Sequence, residues 1–399
     1  RALYLAMLLH DTGKGLGDQQ IEGMKTARKA GNRLDLPEDE IEMIAWLVGN
    51  HLEMSETAQK RDISDPRTIV KFAELVGDVE RLRLLYILTV ADIRAVGPNV
   101  WNTWKGQLLA DLYHATEAAL RGGRTDEASV ASELQARAEA NRAAVIDQFG
   151  TIPSVMLELD AAYWSGFDHE TLLSHAGLLS NQGASLIDIH IPEDDSGTVV
   201  FVSGADRVGL FARLAAAIDQ QGANIISAQI FTTTSGAIVD VFMLHDETGH
   251  PFAQDDPGRI RRLEQSIHRA LDTDEPMPVV KVRPNPRKAA FVVRPVVDFS
   301  EDASSAHTVI DVTGRDRPGL LSDVGNVLAA AGVSIYSAHV GSYGERVFDA
   351  FYVNLPDGFD DAMKSSLREQ LLAALGREEP DAPKTPARQL RRASAADSF

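Results

Sequence analysis

The sequence predicts a multidomain protein in which an all-α domain is followed by two α+β modules of the ferredoxin-like βαββαβ type. A chain of 399 residues is long for one hydrophobic core, and its first 180 or so residues show helical spacing of apolar side chains. Short β-branched runs then alternate with helix-like runs. The predicted units are a helical domain at 1–124, a helical connector at 125–185, modules at 186–285 and 286–376, and a disordered tail at 377–399.

Composition excludes several classes of function. With 39 Lys and Arg against 58 Asp and Glu, the net charge of −19 disfavours nucleic acid as a partner. The chain contains no Cys, which excludes disulfides, thiolate metal sites and cysteine nucleophiles. Because no apolar run reaches the ~18 residues of a membrane span, we expect a cytoplasmic protein without a membrane partner. The chain begins at Arg1, within an apolar run that resembles mid-helix sequence, so we expect a fragment.

The helical domain is predicted from stretches in which apolar residues recur at i, i+3 and i+4. Clear examples are Ile41–Leu52, Leu82–Val96 and Gln107–Leu120. The Gly-Gly pair within Arg121–Arg124 indicates the end of this domain. The Ala- and Glu-rich run Thr125–Arg142 then predicts a connecting helix.

The two α+β modules are predicted from an internal repeat. Ser203–Phe211 returns as Thr313–Leu321, 110 positions later, and Gly222 returns as Gly332 in the same register. Asp240 corresponds to Asp349 after a slip of one residue. Each copy gives strand, turn, helix, strand, turn, strand and helix, and Pro278–Val282 is predicted to supply the last strand of the first βαββαβ unit.

A candidate metal and phosphate site follows the first apolar helix. His10 and Asp11 offer one nitrogen and one oxygen ligand at a helix end, and Lys14 adds a cation one turn later. Imidazole with carboxylate suits Mn, Fe, Zn or Mg, and a metal lowers the pKa of a bound water. A His-Asp pair is also common by chance, so this motif is a hypothesis that needs further residues.

Two residues further along the chain extend that site. Asp92 lies in an otherwise apolar helix, where a buried carboxylate requires a metal or a cation, so we favour a ligand over a salt bridge or a cap. His51 closes an amphipathic run, where it is either a ligand or a favourable charge on the helix dipole. We expect their helices to converge on His10.

The repeated loops suggest a second kind of site. Asp206 and Asp316 each precede a Gly-Leu pair between a strand and a helix, and we expect each Asp to cap that helix. Gly209 and Gly319 allow close approach, and free N–H groups at a helix start suit an amino-acid carboxylate. The alternative is a well-made turn without a ligand, but the repetition favours a binding role.

These motifs resemble a known family. His10-Asp11 with Asp92 resembles the HD-domain phosphohydrolases. The segments Trp46–Ser55, Arg61–Pro66 and Thr89–Ala95 are similar to the bacterial bifunctional uridylyltransferase/uridylyl-removing enzymes of PII nitrogen regulation. The resemblance implies an all-α HD-type helical domain followed by two ACT modules.

The resemblance also implies roles. The HD domain of that family removes UMP from a tyrosine of the PII signal protein by metal-dependent phosphodiester hydrolysis, with Mg or Mn as the expected ion. We expect the metal on His10, Asp11 and Asp92, proton transfer at His51 and phosphate contact at Lys14. The ACT pair senses glutamine as effector, which we expect near four loop positions: Asp206, Gly209, Asp316 and Gly319.

This sequence departs from the family pattern in two ways. The first HD histidine and the nucleotidyltransferase domain of the family lie upstream of Arg1, and Gln19 stands where family members have a histidine. Gln coordinates metals weakly, so an amino-acid sensor with an inactive HD unit is a rival hypothesis. A guanosine tetraphosphate hydrolase is a weaker rival, because that family places further modules between HD and ACT.

Overall fold

The computed structural model describes residues 1–96, 101, 103–123, 126–180, 185–273, 293–304, 306–343 and 346–376. The chain begins with helices only, as the apolar spacing predicts. The helical domain contains α1 Ala2–Leu9, α2 Gln19–Arg33, α3 Glu38–Asn50, α4 Glu53–Lys60, α5 Pro66–Val76, α6 Val79–Val96 and α7 Thr103–Gly122. Four more helices follow, α8 Glu127–Phe149, α9 Ser154–Leu157, α10 Ala161–Gly166 and α11 His169–Ser180.

The rest of the described chain is α+β. Its first half contains β1 Leu186–His190, β2 Thr198–Ala205, α12 Leu210–Asp219, β3 Asn224–Thr232, β4 Ala237–His245 and α13 Pro257–Asp272. Its second half contains β5 Val296–Ser300, β6 Thr308–Arg315, α14 Leu320–Ala330, β7 Ser334–His339, β8 Ser342–Tyr343, β9 Arg346–Asn354 and α15 Asp361–Leu375. The repeat in the sequence therefore appears as a repeat of elements.

Local signals explain where several helices begin. Asp18 accepts hydrogen bonds from the first backbone N–H groups of α2, and Asp65 does the same for α5, which starts with Pro66. Apolar faces of the helices meet in one core that includes Leu47 and Leu85. Helices α1, α3 and α6 pack against one another in this core, which brings the end of α1 and the end of α3 beside α6.

The strands form one continuous sheet across both modules. Among the described residues its order is β1-β2-β4-β3-β7-β9-β6-β5, with β8 on β9. The modules join where Ala228 of β3 pairs with Ala338 of β7. Helices α12 and α14 pack side by side over this junction, so each module presents its repeated loop to the neighbouring module.

The ferredoxin-like character of the modules is confirmed, but the order of their edge strand differs from the predicted βαββαβ. Each described module has the order ββαββα, because β1 pairs with β2 and β5 pairs with β6 from the N-terminal side. The strand that pairs with β2, and likewise with β6, is therefore the first strand of its module. The predicted strand Pro278–Val282 lies outside the described residues, as do the predicted tail and the 285/286 boundary.

The sheet face opposite α12–α15 is also covered. Over the first module it packs against α8–α11, where Tyr163 and Trp164 share a buried cluster with Phe201 and Phe231. Over the second module it meets the helical domain directly after α4. No helix of the described residues has the length and apolar composition to cross a membrane.

Candidate functional site

The end of α1 places His10 against α6. His10 is the C-cap of α1, and its Nε2 lies 3.2 Å from Asp92 Oδ1 and 3.6 Å from Asp11 Oδ2. The structure thus brings together three residues that the sequence predicted as metal ligands. The Asp92 side chain keeps 22% of its surface exposed, so it is less buried than the apolar helix suggested.

His51 joins this group from α3. It is the C-cap residue of α3, and its ring centroid lies 5.3 Å from that of His10. In both rings Nδ1 faces a backbone carbonyl, Val48 O at 2.7 Å and Met7 O at 2.8 Å. A carbonyl only accepts, so each Nδ1 carries the proton and each Nε2 presents a lone pair when the ring is neutral. Burial lowers the pKa of His51 and so favours the neutral ring.

Both carboxylate oxygens of Asp11 have partners. Lys14 Nζ donates to Oδ2 at 2.6 Å, and Gln19 Nε2 donates to Oδ1 at 3.2 Å. The backbone at Gly13 passes very close to the start of α2. A side-chain carbon on Gly13 would lie only 2.0 Å from the backbone oxygen of Gln19, so this position requires glycine. The residue that replaces the family histidine therefore reaches the predicted site and binds a predicted metal ligand.

By donor chemistry this cluster suits a divalent metal. It offers imidazole nitrogens from His10 and His51 and carboxylates from Asp11 and Asp92, in the correct tautomers. Within the described parts of the chain, no three such side chains are arranged as a formed metal centre. Asp11 is engaged by Lys14 and Gln19, so an ion at this carboxylate would compete with both of them.

The repeated loops begin α12 and α14 in the same way. Gly209 and Gly319 are the N-cap residues, with left-handed φ angles of 78° and 76° that favour glycine. Our prediction that Asp206 and Asp316 cap these helices is wrong, because neither helix has a side-chain cap. Asp206 instead accepts a hydrogen bond from the backbone N–H of Arg207 at 2.8 Å.

The arginine of each loop has a role that sequence reasoning missed. Arg207 donates to the carbonyls of Ala270 and Thr273 at the end of α13, the latter at 2.8 Å. Arg317 donates to the carbonyl of Ala374 in α15 at 2.8 Å. Cations suit the carbonyl end of a helix, so these side chains hold both loops in place. An arginine stands at the same position in both copies of the repeated motif, and this repetition was the sequence signal for the role.

The two loops differ in what faces them. Asp219 lies at the end of α12, and its Oδ2 lies 3.8 Å from the position that a side-chain carbon on Gly319 would occupy. A side-chain carbon placed on Gly209 would lie 3.7 Å from Ala329 Cβ. Ala329 is the residue that the 110-position repeat aligns with Asp219. The second loop therefore has a carboxylate of the first module beside it.

Each module also buries one carboxyl group. Asp240 and Asp349 are 2% exposed, on the sheet face beneath α12–α15. Asp240 Oδ1 and Asp349 Oδ2 have no hydrogen-bond partner among the described residues. Burial raises the pKa of Asp349 to about 8 and raises that of Asp240 well above its usual range. The repeat aligned these two residues, but the sequence analysis assigned them no function.

The helical domain contacts the second module through residues that no motif indicated. Arg61 forms a bidentate ion pair with Asp311, with distances of 2.6 and 2.9 Å. The backbone N–H of Asp62 donates to Tyr352 Oη at 2.7 Å, and Lys60 Nζ lies 4.4 Å above the ring of Phe348. A cavity of about 300 Å³ lies beside this contact and away from His10. The end of α4 is thus fixed to the sheet.

Family models match three parts of the chain. Residues 1–92 match the HD domain, and residues 198–263 and 308–375 match the ACT domain. The first match spans the positions of His10, Asp11, His51 and Asp92, and an HD domain supports a divalent metal as cofactor. The other two matches cover the repeated loops. They confirm that the two α+β modules are ACT domains, as the resemblance implied.

Curated relatives match nearly the whole chain. A "Bifunctional uridylyltransferase/uridylyl-removing enzyme" of Caulobacter vibrioides is 44% identical over 96% of this chain and 42% of its own length. Proteins of the same name from Phenylobacterium zucineum (44% identity, 99% of this chain, 43% of the relative) and Azospirillum brasilense (40%, 94%, 41%) are also similar. This chain therefore spans about two fifths of the length of the relatives it matches. A solved Galdieria sulphuraria protein of unknown function aligns with 43% of this chain and 89% of its own, at 19% identity and a TM-score of 0.15, which is too low to bear on the fold.

Proposed function

We propose that the helical domain of this chain performs uridylyl removal. The chain carries an HD domain and two ACT domains, and nearly its whole length is homologous to bifunctional uridylyltransferase/uridylyl-removing enzymes. The proposed reaction is the metal-dependent hydrolysis of the phosphodiester between UMP and a tyrosine of the PII protein. With PII as the substrate, we expect the reaction in the cytoplasm. The nucleotidyltransferase reaction belongs to a domain that these residues do not supply.

One observation carries the proposal: α1, α3 and α6 converge so that His10, His51 and Asp92 meet at one point. Residues so far apart in sequence meet by chance less often than neighbours do, and their donor atoms are those of a phosphohydrolase metal site. We assign His10, Asp11 and Asp92 to the ion, with Mg or Mn as the candidates. Such an ion supplies Lewis acidity and a water of lowered pKa.

The remaining residues act on the proton and the phosphate. His51 Nε2 carries a lone pair, and the His51 ring lies 5.3 Å from that of His10, so we assign to His51 the proton of the attacking water, which it returns to the leaving tyrosine oxygen. The Lys14 side chain is 62% exposed beside Asp11, so we expect it to contact the phosphodiester. Lys14 there balances the negative charge that develops on phosphate oxygens.

Regulation by glutamine follows from the ACT modules in this proposal. The loop positions Asp206, Gly209, Asp316 and Gly319 are our candidates for contacts with the effector. If glutamine binds one arrangement of the modules more tightly than another, its binding raises the population of the first arrangement. The Arg61 contact carries this change to α4, whose first residue lies two positions after His51.

The test is UMP release from uridylylated PII. The chain is assayed alone and joined to the uridylyltransferase part of the Caulobacter vibrioides relative, with Mg²⁺ or Mn²⁺ and with or without glutamine. We expect release of UMP and recovery of unmodified PII, with a dependence on metal and a faster rate with glutamine. No release from either protein under any of these conditions would overturn the hydrolase proposal.

A second candidate is an amino-acid sensor with an inactive HD unit. It is favoured by the engagement of both Asp11 oxygens with Lys14 and Gln19. In that case calorimetry detects glutamine binding by the chain, but neither metal binds with measurable affinity and no UMP is released. A guanosine tetraphosphate hydrolase is disfavoured, because the similar curated relatives carry the uridylyl-removing name.

A further inference from the structure

The helical domain and the second ACT module meet through polar contacts at the end of α4. Arg61 forms its bidentate ion pair with Asp311, and the backbone N–H of Asp62 donates to Tyr352 Oη at 2.7 Å. Domains of one chain that meet through a polar interface separate more readily than domains that share a large apolar one. The strength of this attachment therefore depends on the protonation state of the groups that it covers.

His339 lies on the sheet face that receives the helical domain. It pairs with Ala350 of β9, which pairs with Asp311 of β6, and residues directly opposite each other on antiparallel strands share a face. Tyr352 lies two positions beyond Ala350 and so on the same face, and its ring centroid is 5.5 Å from that of His339. Because Asp311 and Tyr352 both bond to the chain at the end of α4, His339 lies beneath this contact between the domains.

The imidazole of His339 is not fully satisfied there. Its Nε2 is shielded from solvent and has no hydrogen-bond partner among the described residues, although the residue as a whole is half-buried. The charges that act on the ring are those of Asp62 and Arg61 at the end of α4, and Tyr352 and Asp311 stand on the neighbouring strands. Burial lowers the pKa of His339, Asp62 opposes this shift and Arg61 adds to it.

The contact between the domains therefore favours the neutral ring. When the contact opens, the ring returns to water, where its pKa is the ordinary value of about 6.5. Below that pH the open arrangement binds more protons than the closed one, so the contact is at full strength above about pH 6.5 and weakens as pH falls. One such group changes the equilibrium constant of closure by at most about tenfold per pH unit.

We propose that His339 makes the attachment of the helical domain to the second ACT module sensitive to protons: the contact is closed over a neutral ring and opens when the ring is protonated. This inference goes beyond the proposed reaction and does not depend on it, because it concerns the contact and not the His10 cluster. Opening breaks the Arg61 ion pair, which is the proposed path between the ACT modules and the candidate site.

The test follows the distance between the two domains by fluorescence energy transfer as pH is lowered from about 7.5 to about 5.5, a range in which histidine titrates. The chain contains no Cys, so Glu74→Cys on α5 and Asp357→Cys after β9, both at exposed positions, give two unique thiols for the dyes. We expect the transfer efficiency to fall below about pH 6.5 and to recover when the pH is raised again.

Two variants of the labelled protein separate His339 from other groups. His339→Gln keeps a polar side chain that does not titrate, so its transfer efficiency should stay constant over the same range. His268→Gln on α13, where 44% of the side chain is exposed, is the matched control and should follow the wild type. Constant transfer in the wild type, or an equal fall in the wild type and His339→Gln, would overturn the inference. So would a rise on acidification, which would mean that the protonated ring pairs with Asp62.

A second measurement decides the question if His339→Gln fails to fold by circular dichroism. The pKa of the His339 ring is then measured by NMR in the wild type and in Asp311→Ala, which weakens the contact. Loss of the Asp311 charge by itself lowers the pKa of a nearby histidine, so a rise toward 6.5 in this variant reports exposure of the ring and supports the inference. An equal or lower pKa in Asp311→Ala would contradict it.

Discussion

Arg61 and Asp311 form a bidentate ion pair across 250 positions of sequence, and this pair fastens the helical domain to the second ACT module. Both side chains are less than a third exposed, and a planar guanidinium on a carboxylate is among the more directional contacts in proteins. Helix α4, Glu53–Lys60, runs from the His51 corner to Arg61. The pair therefore stands at the end of a short, rigid path between the sensor and the candidate site.

Loss of the ion pair between Arg61 and Asp311 is expected to uncouple the ACT sensor from the candidate hydrolytic site. In Arg61→Ala we expect the effect of glutamine on UMP release to fall below about twofold, because typical coupling energies of 1–3 kcal/mol need an intact connection. The matched control is Arg28→Ala, which removes a bidentate pair with Glu42 that lies wholly within the helical domain. Steady-state rates with and without glutamine provide the measurement. Equal glutamine responses in the two variants would refute a role for the Arg61 contact.

Lys14 is expected to matter for the phosphodiester and not for the metal. Loss of a charged hydrogen bond to substrate costs about 1.5–3 kcal/mol, so kcat/KM of Lys14→Gln should fall at least about tenfold. Metal affinity should not fall, because the variant removes a cation that holds Asp11 at 2.6 Å. Lys25→Gln, which loses a comparable exposed pair with Glu22, serves as the control. A reduced metal affinity with unchanged kcat/KM would contradict this assignment.

Gln19 provides a gain-of-function test. Its amide donates to Asp11 at 3.2 Å, and a histidine there would offer a metal ligand or a proton donor in place of the amide. We expect Gln19→His to bind Mn²⁺ about tenfold more tightly by calorimetry. Gln20→His, one position further along α2, is the control for adding an imidazole. An affinity unchanged in Gln19→His, or raised equally in both variants, would show that position 19 does not contribute to the site.

Much of the site could be predicted from sequence because its signals are local. His10 and His51 each end an apolar helical stretch, and Asp92 breaks an apolar run, so chemistry and helix periodicity point to the same residues. The structure brings them together because α1, α3 and α6 share one core. The depth of Asp92 differs from expectation, since 22% of its side chain is exposed.

The remainder depends on tertiary contacts that no local pattern encodes. Nothing near Arg61 in the sequence indicates Asp311, and the edge strand β1 fills a position that the repeat assigned to a later strand. The difference between Asp219 and Ala329 was visible in the aligned repeat, but its meaning needed the packing of α12 against α14. Sequence similarity between the modules thus predicts their shared elements, whereas the residue that faces each loop depends on how the modules pack.

Asp349 predicts a pH dependence of stability. Burial raises its pKa from 3.8 to about 8, so between these values the folded protein binds more protons than the unfolded chain. The free energy of unfolding therefore falls as pH rises through this window, by up to about 1.4 kcal/mol per pH unit, and levels off above pH 8. We expect Asp349→Asn to reduce this slope in urea unfolding between pH 5 and 8. The exposed control Asp357→Asn should keep the wild-type slope, and identical slopes in all three proteins would contradict the buried titration.

The most direct test of the hydrolase account compares the wild type with Asp92→Asn. Asp92 contacts His10 at 3.2 Å, and its replacement removes the charge of a proposed ligand with little change of shape. Rates of UMP release from uridylylated PII are measured at one Mn²⁺ concentration with glutamine present. The account predicts a fall of at least about 100-fold, roughly 3 kcal/mol in the barrier. Equal rates of release by the two proteins would contradict it.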